Sequence, residues 1–421
     1  MKILHVSYSD ILGGAARASY RLHKALLESG VNSEMMVRIK KTDDWTISSS
    51  NSRIEKLATI FRSSIGLSIN NLQYSDNVNL RSGNWLPSNW AKRINSSDVD
   101  IVHMHWIGSE TLSIKDIGKI RKPIVWTMHD MWPFCGAEHY TSDDVNSRWI
   151  TGYESKNRIS GEHGTDIDKL VWKRKFHLWN TSNMHMVSPS QWLANCAKKS
   201  LLFQNSSISV IPNPLDTEIY QPLNKSFCRK LLKLPENKNI ILFGAIGGGN
   251  DPRKGYDLLI EALHKLQNEI DVSSTVCVIF GQSEPKNSPK LPFPTYWLGH
   301  INDDPTLSLL YNSANVMVVP SRMDNLPQTS TEAQTCGTPV VSFSTTGLID
   351  IVEHKKTGYL AKPFDTTDLA NGIKWILENE SRQFELKNYS RKKAENLWEN
   401  SIVANQYIEL YKNRLMNPKA N

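Results

Sequence analysis

Short blocks of consecutive apolar residues alternate along this chain with stretches whose apolar residues recur at helical spacing. A block bounded by turn formers reads as a buried strand, and a helical period as a helix with one covered face. In the first half, Lys2–Tyr8, Ile101–His105, Ile124–Met128 and Met184–Val187 are predicted strands. Between the first two, Ala18, Leu22, Ala25 and Leu26 make Ala16–Glu28 a helix that packs on the sheet. In the second half, Asn239–Ala245, Thr275–Gly281, Tyr296–Gly299, Asn315–Pro320 and Pro339–Phe343 are predicted strands, with helices at Tyr256–Gln267, Leu307–Ser313 and Gln328–Cys336. The alternation therefore runs twice. It predicts an α/β protein of two Rossmann-like parallel-sheet domains facing a central cleft, residues 1–214 and 215–401. The prolines of Ile211-Pro-Asn-Pro-Leu-Asp216 suit the crossover. The helical stretch Ile402–Leu415, with the tail to residue 421, is expected to return to the first domain.

Residues Arg38–Asp100 carry less pattern. Within them Ile54, Leu57, Ala58, Phe61 and Ile65 share one helical stripe, and Arg53, Lys56 and Arg62 lie off it. The expectation is a surface helix that buries this stripe in its own domain. The alternative is a basic amphipathic face resting on an anionic membrane.

Length and charge narrow the class. A chain of 421 residues is too long for one ordinary core and accommodates two or three domains. No apolar run reaches the ~18 residues of a spanning helix. The opening Met-Lys-Ile-Leu-His-Val-Ser has neither the apolar length nor the cleavage site of a secretory signal. The five cysteines, Cys135, Cys196, Cys228, Cys277 and Cys336, are scattered and include no Cys-x-x-Cys pair, which reads as reduced thiols of a cytoplasmic protein. A net charge of +7 suits phosphates or a membrane surface, but it is too dispersed to argue for nucleic acid.

Candidate chemistry gathers where predicted strands end. Gly13-Gly14 separates the first strand from its helix, where a ligand can approach the backbone and free N–H groups can meet an anion; an ordinary flexible turn is the plainer reading. Gly247-Gly248-Gly249 leads into Asp251-Pro-Arg-Lys-Gly255. The next strand ends Phe280-Gly281-Gln282 without the ribose-binding acid of a hydride-transferring site. Gly255 follows Lys254 where a P-loop has Ser or Thr. What remains is Arg253 and Lys254 on a turn, able to neutralise a diphosphate or simply solvated. Asp324 lies in the loop Ser321–Pro327, and Glu332 falls in the following helix, where small Ala333 and Cys336 allow close packing and Gly337 suits the stop. Carboxylates so placed can hold sugar hydroxyls.

His129-Asp130 follows a predicted strand, where a histidine can serve substrate or structure. His103 and His105 share a strand face and offer two ligands to a metal, with no third nearby in sequence. Asp98-Val-Asp100 precedes a strand and reads as a turn, not a metal-binding pair. His139-Tyr140, Trp149 and Trp172 are expected to add aromatic surface that suits sugar stacking.

In order along the chain, Gly13-Gly14-Ala-Ala-Arg17, Val102-His-Met-His-Trp106, Trp126-Thr-Met-His-Asp-Met-Trp-Pro133, Ser190-Gln-Trp-Leu193, Ile211-Pro-Asn-Pro214, Arg253-Lys-Gly255 and the pair Asp324 and Glu332 resemble the family-four retaining glycosyltransferases of GT-B architecture. The branch that looks most similar contains colanic-acid and O-antigen transferases. This resemblance implies that Arg253 and Lys254 hold the donor diphosphate, Glu332 the ribose, and Asp324 with the N–H groups of Asn325 and Leu326 the transferred sugar. It implies that His129 touches the donor sugar, that Gly13-Gly14 closes over the phosphates, and that Arg17, His129 and Asp130 lie on the acceptor side. It further implies a nucleotide-sugar donor, no divalent metal or other cofactor, and a glycan or lipid-linked oligosaccharide acceptor at the inner membrane face, in lipopolysaccharide or other surface-polysaccharide assembly. Three features depart from the family pattern: Asp324 stands where Glu is usual, Arg253 adjoins Lys254, and Glu138–Lys169 is a cysteine-free polar insert. A catalytically silent binding protein and a nucleotide-sugar epimerase on the same fold are the alternatives.

Overall fold

The computed structural model describes residues 1–49, 53–76, 80–179, 183–244, 249, 251–286 and 290–417, with backbone only for 53–56. These form two compact units, Met1–Asn213 with Val403–Asn421, and Pro214–Ile402.

In the first unit the strands are β1 (Lys2–Ser9), β2 (Asn32–Ile39), β3 (Ile47–Ser48), β4 (Gln73–Tyr74), β5 (Ile101–Met104), β6 (Ile124–Thr127), β7 (His163–Gly164), β8 (Met184–Ser188) and β9 (Ile208–Val210). All but β4 and β7 make one sheet, in order β3-β2-β1-β5-β6-β8-β9. Its pairs are parallel, so helices must cover both faces, and β5, β6 and β8 are buried along their whole length. The helix Gly14–Glu28 covers one part through Ala18, Leu22, Ala25 and Leu26. The helix Asn400–Met416 sets Val403, Ala404, Tyr407 and Tyr411 against Ile3, Ile101, Val125 and Val187.

The second unit carries β10 (Asn239–Gly244), β11 (Thr275–Phe280), β12 (Thr295–Trp297), β13 (Val316–Val319), β14 (Val340–Phe343) and β15 (Gly358–Ala361), all parallel, in order β12-β11-β10-β13-β14-β15. Ile240, Leu242, Val276, Val278, Met317 and Val319 pack on one face, and Ile241, Phe243, Cys277, Ile279, Val316 and Val318 on the other. Hydrophobicity on both faces leaves no alternation, which is why these strands read as continuous apolar runs. Beyond the predicted strands lie β2, whose Asn32-Ser33-Glu34 start masks it, and the short β3, β4, β7, β9 and β15.

Two expectations need correction. The helix Arg53–Asn70 does not bury its apolar stripe: Leu57, Phe61 and Ile65 are exposed, along with Ile60 and Leu67. Arg62 turns inward instead and donates to the carbonyls of Leu86, Pro87 and Glu110, while Gly66 lies against the Glu110 side chain. Four backbone hydrogen bonds to a guanidinium anchor the helix where a hydrophobic contact was expected.

The polar insert Glu138–Lys169 buries part of its charge. Its Glu138, His139, Arg148, Glu162 and Asp168 are buried, and Arg148 meets Asp166 at 2.6 Å. The Tyr153 hydroxyl donates to Glu138, and Lys175 donates to the carbonyls of Trp132, Cys135 and Gly136 beneath them.

The aromatic surface is an interior. Trp149, Trp172, His139 and Tyr140 are all buried, and Trp149 meets Phe134 edge-to-face. All five cysteines are buried free thiols.

Candidate functional site

In the second unit, candidate residues converge at the C-terminal ends of parallel strands, where open α/β sheets place their ligands. After β10 the glycine cluster is seen only at Gly249, whose N–H donates to Gln282 Oε1 at 3.1 Å; Ala245, Gly247 and Gly248 lie outside the described residues. Asp251 then caps a single 3-10 turn, Pro252–Lys254, by accepting from the Arg253 N–H at 3.0 Å, and pairs with the Arg253 guanidinium at 2.6 Å. Gly255 ends the turn at φ +66°, and a Cβ there would lie 2.0 Å from the Pro320 carbonyl oxygen. Only glycine lets the end of β13 come this close to the Arg-Lys turn.

That approach brings the two halves of the motif together. Lys254 Nζ lies 2.5 Å from Asp324 Oδ2. The Arg322 N–H donates to the Arg253 carbonyl at 2.7 Å, and the Arg322 guanidinium forks onto Asp257 at 2.8 and 2.6 Å. From the other side, the loop after β14 braces Asp324: its N–H donates to Thr346 Oγ1 at 3.2 Å, and the Gly347 N–H donates back to its carbonyl at 3.0 Å. A Cβ on Gly347 would lie 1.4 Å from the Asn325 carbonyl oxygen, so this brace also requires glycine. The Asn325 N–H donates to Asp324 Oδ1 at 3.1 Å, and Leu326 is buried beside it. Glu332 is buried in the helix Gln328–Thr335 and accepts from the Tyr311 hydroxyl at 2.7 Å. Burial, with Glu332 adjacent, pushes the Tyr311 phenol well up, so it stays a donor.

In the first unit Gly13, at φ +90°, caps the helix that begins at Gly14, and Arg17 lies one turn on, its N–H donating to the Gly13 carbonyl at 3.1 Å. His129 follows β6 and is half-buried; burial lowers its pKa to about 4, so it is neutral at physiological pH. Asp130 is committed to holding this corner: it accepts from Trp106 Nε1 at 2.9 Å and the Trp132 N–H at 3.0 Å, and meets His139 Nδ1 at 2.6 Å. Despite burial its carboxyl is lowered, through His139 and the Trp132 N–H.

His103 and His105, with His5 of β1, bring three buried rings within ligand distance of one another. The rings of His103 and His105 stack at 4.2 Å between centroids. His103 meets Tyr411 at 2.6 Å and Thr127 at 2.8 Å, using both its nitrogens.

Two family models match, Glycosyltransferase Family 4 over residues 12–219 and Glycosyl transferases group 1 over residues 224–393. The chain belongs to the family-four, GT-B glycosyltransferases. D-inositol 3-phosphate glycosyltransferase of Gordonia bronchialis is 24% identical over 72% of this chain and 64% of its own length. The capsular polysaccharide biosynthesis glycosyltransferase CapM of Staphylococcus aureus is 25% identical over 38% of each chain. The chain thus spans less than two thirds of these relatives' length. The structure of HepE from Anabaena in complex with UDP-glucose superposes with a TM-score of 0.62, 15% identity, 98% of this chain and all of that one.

Against the family's motifs, sequence reasoning missed Tyr311, Thr346, Gly347, the Arg322–Asp257 fork and His5. Each lies on an element remote in sequence from the residue it supports. Only Gly347, in Thr345-Thr346-Gly347 after a predicted strand, left a local signal.

Proposed function

We propose that the protein is a metal-independent, retaining glycosyltransferase that moves a sugar from a nucleotide-sugar donor to a glycan acceptor, lipid-linked, in surface polysaccharide or lipopolysaccharide assembly. The observation that carries this reading is the Lys254–Asp324 pair beside Arg253, held by two glycine-dependent close approaches at the strand ends of a parallel sheet. Without ligand, Asp324 balances the Lys254 charge. A diphosphate competes for Lys254 with more charge than one carboxylate, and freed Asp324 can then accept from the sugar hydroxyls that sit beside the phosphate. Buried Glu332 holds the ribose, with Tyr311 fixing its carboxylate.

In the reaction the acceptor oxygen bonds to the anomeric carbon on the face the diphosphate leaves. The carbon–oxygen bond to phosphate breaks with its electron pair, and the acceptor proton passes to a departing phosphate oxygen. Arg253 and Lys254 stabilise the charge that develops there, the task a metal performs elsewhere. The exposed apolar residues of Arg53–Asn70 support a peripheral contact with the inner face of the plasma membrane. No helix among the described residues is long and apolar enough to cross one.

Ligand-induced thermal stabilisation tests the donor site, using a panel of nucleoside diphosphates and nucleotide sugars with chelator present. A ligand at about 100 times its Kd adds ~2.7 kcal/mol. Stabilisation by one nucleotide series in chelator supports the reading; a response only with divalent metal, or none on folded protein, overturns it. Product analysis separates transfer from epimerisation, since an epimerase releases a rearranged nucleotide sugar without acceptor.

A further inference from the structure

At the end of the second sheet opposite Lys254 and Asp324, the chain encloses a cavity of about 930 Å³. Its lining includes Ser274, which precedes β11, Asn315, which precedes β13, and Pro339, which precedes β14. The donor-site loops follow strands of the same sheet, and β10, six residues long, sets the two places ~20 Å apart. The cavity lies wholly within the second unit.

Cations near helix ends commonly satisfy carbonyls, and Arg229 does so here. It donates to the carbonyls of Ser313, Glu236 and Lys238 at 2.9, 2.6 and 2.9 Å, and to Asn315 Oδ1 at 2.7 Å. Asn315 Nδ2 donates on to Gln383 Oε1 at 3.1 Å, so one side of the cavity is a fixed polar wall. Lys225 and Lys387 are different. Among the described residues neither side chain has a hydrogen bond or an ion pair, although both line the cavity. Burial, then the charges of Arg229 and Lys387, lower Lys225 to about 8, and Glu380 offsets them in part. The other carboxylates of the lining are engaged: Glu236 accepts from Ser226 Oγ at 2.6 Å, and Glu378 lies 3.6 Å from Arg382. Like charges grouped away from water cost stability, and an anion that met both amines would remove that cost.

The mouth of the cavity adds a second feature. Glu380, Phe384 and Lys387 stand at helical spacing on the helix Glu380–Leu397, so one face supplies a carboxylate, an aromatic ring and an amine. Phe384 lines the cavity yet is 66% exposed. Lys387 lies over the bare backbone of Gly337, where a Cβ would be 2.6 Å from its Cγ. An aromatic face beside two amines suits a ring that carries a phosphate. The volume agrees, since small-molecule pockets run ~300–1,000 Å³ and an inorganic ion would leave most of this one unfilled.

We propose that this cavity is a second ligand site, taking a phosphate monoester of sugar or nucleoside size with its phosphate between Lys225 and Lys387 and its ring against Phe384. The site stands apart from the donor site and does not rest on the reading of that site.

The test is protection of lysines from acetic anhydride, read residue by residue by mass spectrometry on full-length protein. The probes are glucose 1-phosphate, adenosine monophosphate and inorganic phosphate, each compared with sodium chloride at matched ionic strength. At about ten times its Kd an ester is expected to slow labelling of Lys225 and Lys387 about 10-fold, in the parent and equally in Lys254→Ala. The ester that protects at the lower concentration tells a sugar from a nucleoside. Protection by inorganic phosphate alone, protection matched by chloride, protection lost in Lys254→Ala, or no protection by any probe overturns the proposal. Calorimetric titration of the protecting ester then examines Lys225→Met and Lys387→Met, which keep the apolar stems and remove the charges. Each should weaken binding about 10-fold or more. Unchanged affinity in both variants also overturns the site.

Discussion

Beneath the helix Asn400–Met416 the first sheet buries His5, His103, His105 and Thr127 against Tyr407 and Tyr411, while the matching interior of the second sheet is Ile240, Leu242, Val276, Val278, Met317 and Val319. Both sheets are parallel and covered on both faces, so architecture does not explain the difference. A hydrogen-bonded interior fixes directions: each hydrogen-bonded ring is held in one orientation. An apolar interior fixes only shape. The second unit accordingly builds its candidate chemistry outside the core, in loops where Lys254, Asp324 and Arg253 can exchange partners when a ligand arrives.

The contrast can be broken most severely at Lys175. Lys175→Met removes the donor to three buried carbonyls and should cost about 3 kcal/mol. A lowered urea midpoint with unchanged slope for the first unit is the expected result; a loss below 1 kcal/mol would mean these carbonyls find other donors.

Lys254→Ala should act on binding and not on folding. With Asp324 left as an unopposed charge at the phosphate site, nucleotide affinity is expected to fall by about 100-fold, ~2.7 kcal/mol, by calorimetric titration. Arg253→Ala, whose partner Asp251 is already on its own turn, should cost nearer 10-fold. Equal losses would mean that the two cations act as one cluster.

Acid should separate the units. Burial holds His23 and His185 down to about 4, and His5, His103 and His105 well below their ordinary value, whereas His264, His300 and His354 of the second unit are exposed. A histidine with a depressed folded pKa contributes its full stability above its unfolded pKa of ~6.5 and loses it as pH falls toward the folded value. Each such group steepens the loss by up to about 1.4 kcal/mol per pH unit. Between pH 7 and 5, amide exchange should therefore accelerate in β5 and β6 before β10 and β13.

The smallest effect is expected on the exposed helix face. Phe61→Ser should change stability by less than ~0.5 kcal/mol, yet weaken cosedimentation with anionic lipid vesicles if that face meets a membrane. Unchanged cosedimentation removes the lipid contact from the proposed function.

Much of this was legible in the chain, because parallel strands buried on both faces must be written as apolar blocks. β5, β6, β10, β11, β13 and β14 announce themselves that way. The placing of Arg253, Lys254 and Asp324 after strand ends, and of Glu332 in the helix that follows, was legible too, since it depends on position along the β/α order alone. The exposed stripe of Arg53–Asn70 was misread because periodicity locates an apolar face without saying what it faces. Likewise Trp149 and Trp172 mark an aromatic segment, but whether it forms surface or interior depends on the buried ionic network around Glu138.

By itself, then, the sequence determined the twice-repeated β/α order, the crossover near Pro212 and Pro214, and which residue types stand at the strand ends. Tertiary structure decided the pairings: Lys254 with Asp324, Glu332 with Tyr311, Gly347 against Asn325, and His129 with His105 and His5. Periodicity encodes which side of an element is covered, a local property of spacing. A hydrogen bond between residues a hundred positions apart depends on strand register and loop path, which no local spacing records.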